Sequence, residues 1–164
     1  MNNILVVYYS LEGNTKFIAE ILKEVLWADL LELKPENEIN SRGIMKYLWG
    51  GRQVYMRVKP ALLPFTLNPF DYETLFIGTP VWAWTFAPPL WTFFSQVKLK
   101  GKNIGLFCTS DGSRGKTLEN MISSLEGNHF LGKEEFVSVL TNKEKNKLKA
   151  IAWVEKLLLS KINT

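Results

Sequence analysis

Residues 6–22, "VVYYSLEGNTKFIAEIL", change their periodicity at one point, and that change decides the fold. Residues 4–9 are a continuous β-branched and aromatic run without polar alternation, as in a strand buried on both faces. From Thr15 the spacing becomes helical: Ile18, Ile21, Leu22, Val25 and Leu26 fall on one face. Between strand and helix, residues 10–15 hold two hydroxyls, one amide, one glycine and one acid, but no lysine or arginine.

A helix start presents unpaired backbone N–H groups and a partial positive charge, so it can bind phosphate without basic side chains. Ser10 and Thr15 add hydroxyl donors at the two ends of the loop, and Asn14 adds an amide. Gly13 lets the backbone approach an anion closely, and Glu12 has to point away from it. The competing reading is a plain N-cap by Asn14 or Thr15 with no ligand. A dinucleotide fingerprint is absent, because Gly13 is the only glycine in the loop where three are wanted.

Further strands are expected at 29–33, 74–78, 103–109 and 135–140. One helix should begin at Pro88 or Pro89, where proline suits a first turn. A second has Leu118, Met121, Ile122 and Leu125 inward, and a third spans 143–160 with Leu148, Ile151 and Leu158 buried. Alternating strands and helices imply an α/β fold, a parallel sheet covered on both faces. Ligands in such sheets sit outside the carboxyl ends of the strands, which singles out the loops beginning at Ser10, Thr79 and Ser110. An irregular insert, 34–72, separates strands two and three. It carries six basic and three acidic residues, net +3, and a candidate amphipathic helix at 44–55.

The 164 residues suit one domain, 1–164, and 46% apolar with 22% charged residues fits a globular chain. Cys108 is the only cysteine, which excludes an internal disulfide and points to a reducing, cytoplasmic setting. The N-terminus runs directly into a strand, so no signal peptide is expected. Residues 75–97 carry no charge, but Gly78, Pro80, Pro88 and Pro89 break them up, which argues against a membrane span. The net charge of +4 is dispersed and not interleaved with aromatics as in a nucleic-acid groove. One histidine, His129 in an expected loop, and one cysteine in an apolar strand give no metal site. "SDGSRGKT", 110–117, has Ser110 where a triphosphate-binding loop needs its first glycine.

Taken together, "VVYYSLEGNTKFIAEIL", "IGTPVWAWTFAPPL" and "FCTSDGSRG" resemble the three cofactor loops of the flavodoxin family, in order and at the right strand ends. The resemblance covers nearly the whole chain. It implies a flavodoxin-like three-layer sandwich whose five-stranded parallel sheet has the order 2-1-3-4-5, with flavin mononucleotide (FMN) held non-covalently. Carried over by position, Ser10, Leu11, Glu12, Gly13, Asn14 and Thr15 hold the phosphate. Thr79, Pro80, Val81, Trp82, Ala83 and Trp84 contact the flavin ring, and Thr109, Ser110, Asp111, Gly112 and Gly115 cap it. If 79–84 were an extended loop, Trp82 and Trp84 would lie on one side, either on the flavin or together in the core.

The implied function is electron transfer by an FMN protein. The alternative is an NAD(P)H-dependent FMN oxidoreductase acting on a quinone or similar small acceptor; a flavin-free interaction module is the reading from another class. Partners are accordingly a redox protein, or NAD(P)H and a small acceptor, with a homodimer left open. Carriers of this family are typically acidic, so the basic balance here departs from their pattern.

Overall fold

Strand β1 (Ile4–Tyr8) has its side chains divided between the two faces of a sheet, Leu5 and Val7 to one side and Val6 and Tyr8 to the other, all buried. The computed structural model describes residues 3–37 and 59–162 of the chain. Helix α1 (Asn14–Leu26) returns over the Val6 and Tyr8 face, and β2 (Asp29–Glu32) pairs parallel to β1. β3 (Thr74–Trp82), β5 (Asn103–Ser110) and β6 (His129–Val137) extend the sheet on the other side, all parallel, in the order β2-β1-β3-β5-β6. Counting only these five, the order is the expected 2-1-3-4-5. The sixth strand, β4 (Thr85–Phe86), is a two-residue hairpin partner of β3 that the sequence did not announce.

Helices α2 (Pro88–Gln96) and α3 (Thr117–Ser124) cover the Leu5 and Val7 face, and α1 and α4 (Lys143–Ile162) cover the opposite one. The sheet's centre is packed by an exchange of shapes between neighbouring strands. Phe76 is paired in register with Gly105, and Gly78 with Phe107. A Cβ on Gly78 would lie 2.1 Å from the Phe107 ring, and one on Gly105 would lie 2.6 Å from Phe76. Trp153 of α4 meets Phe76 edge-on at 5.6 Å, closing the layer.

Three expectations are corrected. Leu148 and Leu158 of α4 are exposed; the buried stripe is Asn146, Ala150, Trp153 and Val154. Asn146 can lie on this stripe because its amide donates to Val137 O and Asn142 O and is satisfied in place. The last strand begins at His129, not 135, and His129 is its exposed first residue. As an edge strand β6 keeps Lys133, Glu134 and Glu135, charges that hide a strand from apolar pattern and protect the edge. β3 runs four residues past Gly78, through Thr79 and Pro80 paired beside Cys108 and Thr109.

The ends of the insert are anchored. Pro35 bridges Leu62, the Thr92 hydroxyl of α2 donates to Pro60 O at 2.7 Å, and Phe65 packs edge-on against Phe93. The helix expected at 44–55 lies outside the described residues.

Candidate functional site

The carboxyl ends of β1, β3 and β5 open into one cavity of about 360 Å³, in the range of small-ligand sites. Its walls are Ser10, Leu11, Glu12, Asn14 and Thr15 after β1; Pro80, Val81, Trp82, Ala83 and Trp84 at the end of β3; and Thr109, Ser110 and Asp111 at the end of β5. Thirteen of the seventeen residues expected at the site therefore line one space. Gly13, Thr79, Gly112 and Gly115 do not. No lysine, arginine or histidine lines the cavity among the described residues.

The plain N-cap reading of the first loop is overturned. Asn14 and Thr15 lie inside α1, the N-cap is Gly13 at φ 93°, and no side chain caps the helix. A left-handed N-cap suits glycine. The Gly13 N–H instead donates to Ser10 Oγ at 3.1 Å, folding the loop onto itself. Asn14 Oδ1 accepts the Leu140 N–H at 3.2 Å, a tie from the loop after β6 that sequence spacing could not reveal. Its Nδ2 has no partner among the described residues and can donate to a ligand. Thr15 is fully buried and its hydroxyl lies 2.8 Å from that of Thr109, ninety-four positions along the chain.

The second wall is a hairpin rather than an extended loop. Trp82 pairs with Thr85, and the two turn residues Ala83 and Trp84 have φ of 45° and 61°. Positive φ at both central residues marks the primed turn that β-hairpins favour, a place usually given to Asn-Gly. Two residues with side chains cost about 1–2 kcal/mol each there, so the surroundings must hold the turn. Lys116 N–H donates to Trp84 O at 3.1 Å, and Asn120 Nδ2 donates to Thr85 Oγ1 at 2.8 Å. Gly115 provides the seat: a Cβ there would lie 2.4 Å from Trp84 Cβ.

The turn also separates the two tryptophans. Trp82 packs edge-on against the buried Tyr9 at 5.7 Å, whereas Trp84 stands 69% exposed at the rim. Thr79 is buried beneath them, where its hydroxyl donates to Pro80 O and accepts the Ala87 N–H, a scaffold role that links β3 to α2.

The third wall is fixed from β6 and α3. The Ser110 hydroxyl donates to Glu135 Oε1 at 2.7 Å. Glu119 accepts from Lys133 and from Arg114, at 2.7 and 2.8 Å, and these two partners hold its carboxyl down at about 2. Cys108 lies behind the wall, where burial pushes its thiol up to about 12. Lys116, the lysine of "SDGSRGKT", is exposed and lines nothing in the cavity. Among the described residues no His, Cys, Asp and Glu group could hold a metal ion, and no helix is long and apolar enough to cross a membrane.

An uncapped helix start, hydroxyls at its mouth and an aromatic second wall, all at the strand ends of a 2-1-3-4-5 sheet, define a site for a phosphorylated aromatic cofactor. The family model for flavodoxin matches residues 3–157, and the chain belongs to that family. A flavoprotein from Lactobacillus acidophilus, solved in complex with FMN, is 25% identical with a TM-score of 0.70, covering 86% of this chain and 97% of that one. A candidate flavoprotein from Bacteroides eggerthii is 24% identical with a TM-score of 0.79, over 95% and 98% of the two chains. Flavodoxin 2 from Bacillus cereus shares the fold at 16% identity and a TM-score of 0.59, over 96% and 99%. No curated protein sequence matches the chain.

Proposed function

We propose that this chain binds FMN non-covalently in the cavity and transfers electrons through it. The observation that carries the reading is the uncapped start of α1 facing a cavity whose walls, among the described residues, hold hydroxyls and aromatics but no cation. A phosphate suits the first wall, where Ser10, Asn14, Thr15 and the free N–H groups of the first helical turn can donate to it. Trp82 and the rim residue Trp84 offer flat apolar surface to a ring, and the ends of β3 and β5 offer backbone donors and acceptors to its polar edge. FMN, when bound, supplies one- and two-electron chemistry, and the protein supplies orientation and electrostatics.

The net charge of +4 favours a second reading, an NAD(P)H-dependent oxidoreductase, because a basic chain is poorly suited to the basic partners that acidic carriers meet. Anaerobic mixing of FMN-loaded protein with NADPH separates the two. A carrier keeps its yellow colour until a reductase is added. Bleaching by NADPH alone would replace the carrier reading with the oxidoreductase one.

A further inference from the structure

Two buried hydroxyls face each other across the cavity floor, and between them they own one hydrogen too many. Thr15 Oγ1 and Thr109 Oγ1 lie 2.8 Å apart, Thr15 fully buried and Thr109 only 3% exposed. Each hydroxyl carries one hydrogen and two acceptor sites. One hydrogen makes the bond between them, and neither hydroxyl has another partner among the described residues. Both residues line the cavity, so the second hydrogen has its acceptor to find there.

We infer that Thr109 is a positioning residue for phosphate recognition: its hydroxyl donates to Thr15 Oγ1, and this turns the Thr15 hydrogen towards the phosphate. The inference rests on the FMN reading above. A phosphate dianion only accepts, so a hydroxyl touching it must donate, and its lone pairs must be satisfied from behind. Thr15 belongs to the first turn of α1, the element whose free N–H groups would meet the phosphate, whereas Thr109 belongs to the end of β5. Donation in series also polarises the outer hydroxyl and strengthens its bond to an anion. The third strand end, which the family resemblance assigns to the flavin ring, would therefore act on the phosphate as well.

The test compares FMN with riboflavin, which lacks the phosphate, by quenching of flavin fluorescence in apoprotein variants. Thr109→Val should weaken FMN about tenfold while changing riboflavin less than about twofold, and Thr109→Ser, which keeps the hydroxyl, should restore FMN. In a Thr15→Val background, Thr109→Val should cost FMN nothing further. Equal losses for the two ligands, no loss of FMN, failure of the serine variant to restore binding, or a persisting effect without Thr15 would each overturn the inference. Failure of the unaltered protein to bind FMN would instead overturn the reading on which it rests. Thermal melts of each apo variant report folding, and the serine variant retains the test if the valine variant unfolds.

Discussion

Gly115→Ala should unsettle the tryptophan turn, and its cost can be divided using two other glycines of the same chain. Gly115 combines two demands, a φ of +53° and a space that a Cβ would fill, 2.4 Å from Trp84 Cβ and 2.9 Å from Trp84 Cα and O. Two of those three atoms are backbone, so a side-chain rotation cannot relieve the overlap. Gly101 has a φ of +65° with nothing within 4 Å of its Cβ position, and Gly112 has neither demand. Alanine in the left-handed region costs about 1–2 kcal/mol, and overpacking adds about 1–3 kcal/mol. Gly112→Ala should therefore be neutral within about 0.5 kcal/mol, and Gly101→Ala should lose about 1–2 kcal/mol. Gly115→Ala should lose about 2–5 kcal/mol, a large share of the ~5–15 kcal/mol that holds a domain together. Urea unfolding of the three apoproteins, followed by circular dichroism with the slope m unchanged, gives the three values. Equal losses at 115 and 101 would refute the seat for Trp84, and equal values at 115 and 112 would refute the backbone reasoning too.

Three further outcomes are expected. Glu119 has its carboxyl pulled from the ordinary 4.5 down to about 2 by Lys133 and Arg114, so its contribution is complete above about pH 4.5 and lost as pH falls through about 2. Glu119→Gln should flatten the acid limb of thermal stability in that window, and an unchanged limb would count against the tie. Cys108, buried with its thiol raised to about 12, should resist a disulfide reagent at pH 8 until the protein is unfolded; rapid labelling of the native protein would contradict its burial. Asp111→Asn should make the reduced cofactor easier to form by roughly 20–70 mV, taking one charge ~10 Å away at effective dielectrics between 80 and 20. Spectroelectrochemical titration reads this shift, and a change towards more negative potential would contradict it.

Much of the architecture was legible because buried parallel strands write themselves as apolar runs. β1 is such a run, and Ile18, Leu22 and Leu26 of α1 fall where 3.6-residue spacing puts them. β6 was not legible at its start, since an edge strand half open to water needs no apolar pattern. The buried stripe of α4 was hidden for a related reason: it includes Asn146, a polar residue satisfied by two carbonyls, which apolar spacing does not register. At the site, the loops that converge could be read from their places at strand ends. The conformation of Ala83 and Trp84 could not, because positive φ at residues with side chains is imposed by tertiary contacts with Gly115, Lys116 and Asn120. The hydroxyl pair of Thr15 and Thr109 is likewise a product of tertiary packing, between the first turn of α1 and the end of β5.

Binding of FMN through its phosphate is the claim on which the rest depends, and titration of apoprotein with FMN, riboflavin and ATP tests it most directly. Flavin fluorescence should be quenched by FMN with a Kd of about 1 µM or lower, and riboflavin should bind at least ~100-fold more weakly, the loss of two or more charge-assisted hydrogen bonds. ATP, followed by calorimetry, should give no saturable binding. FMN fluorescence unchanged at about 50 µM apoprotein, a concentration well above that Kd, would contradict the claim, as would equal affinity for FMN and riboflavin.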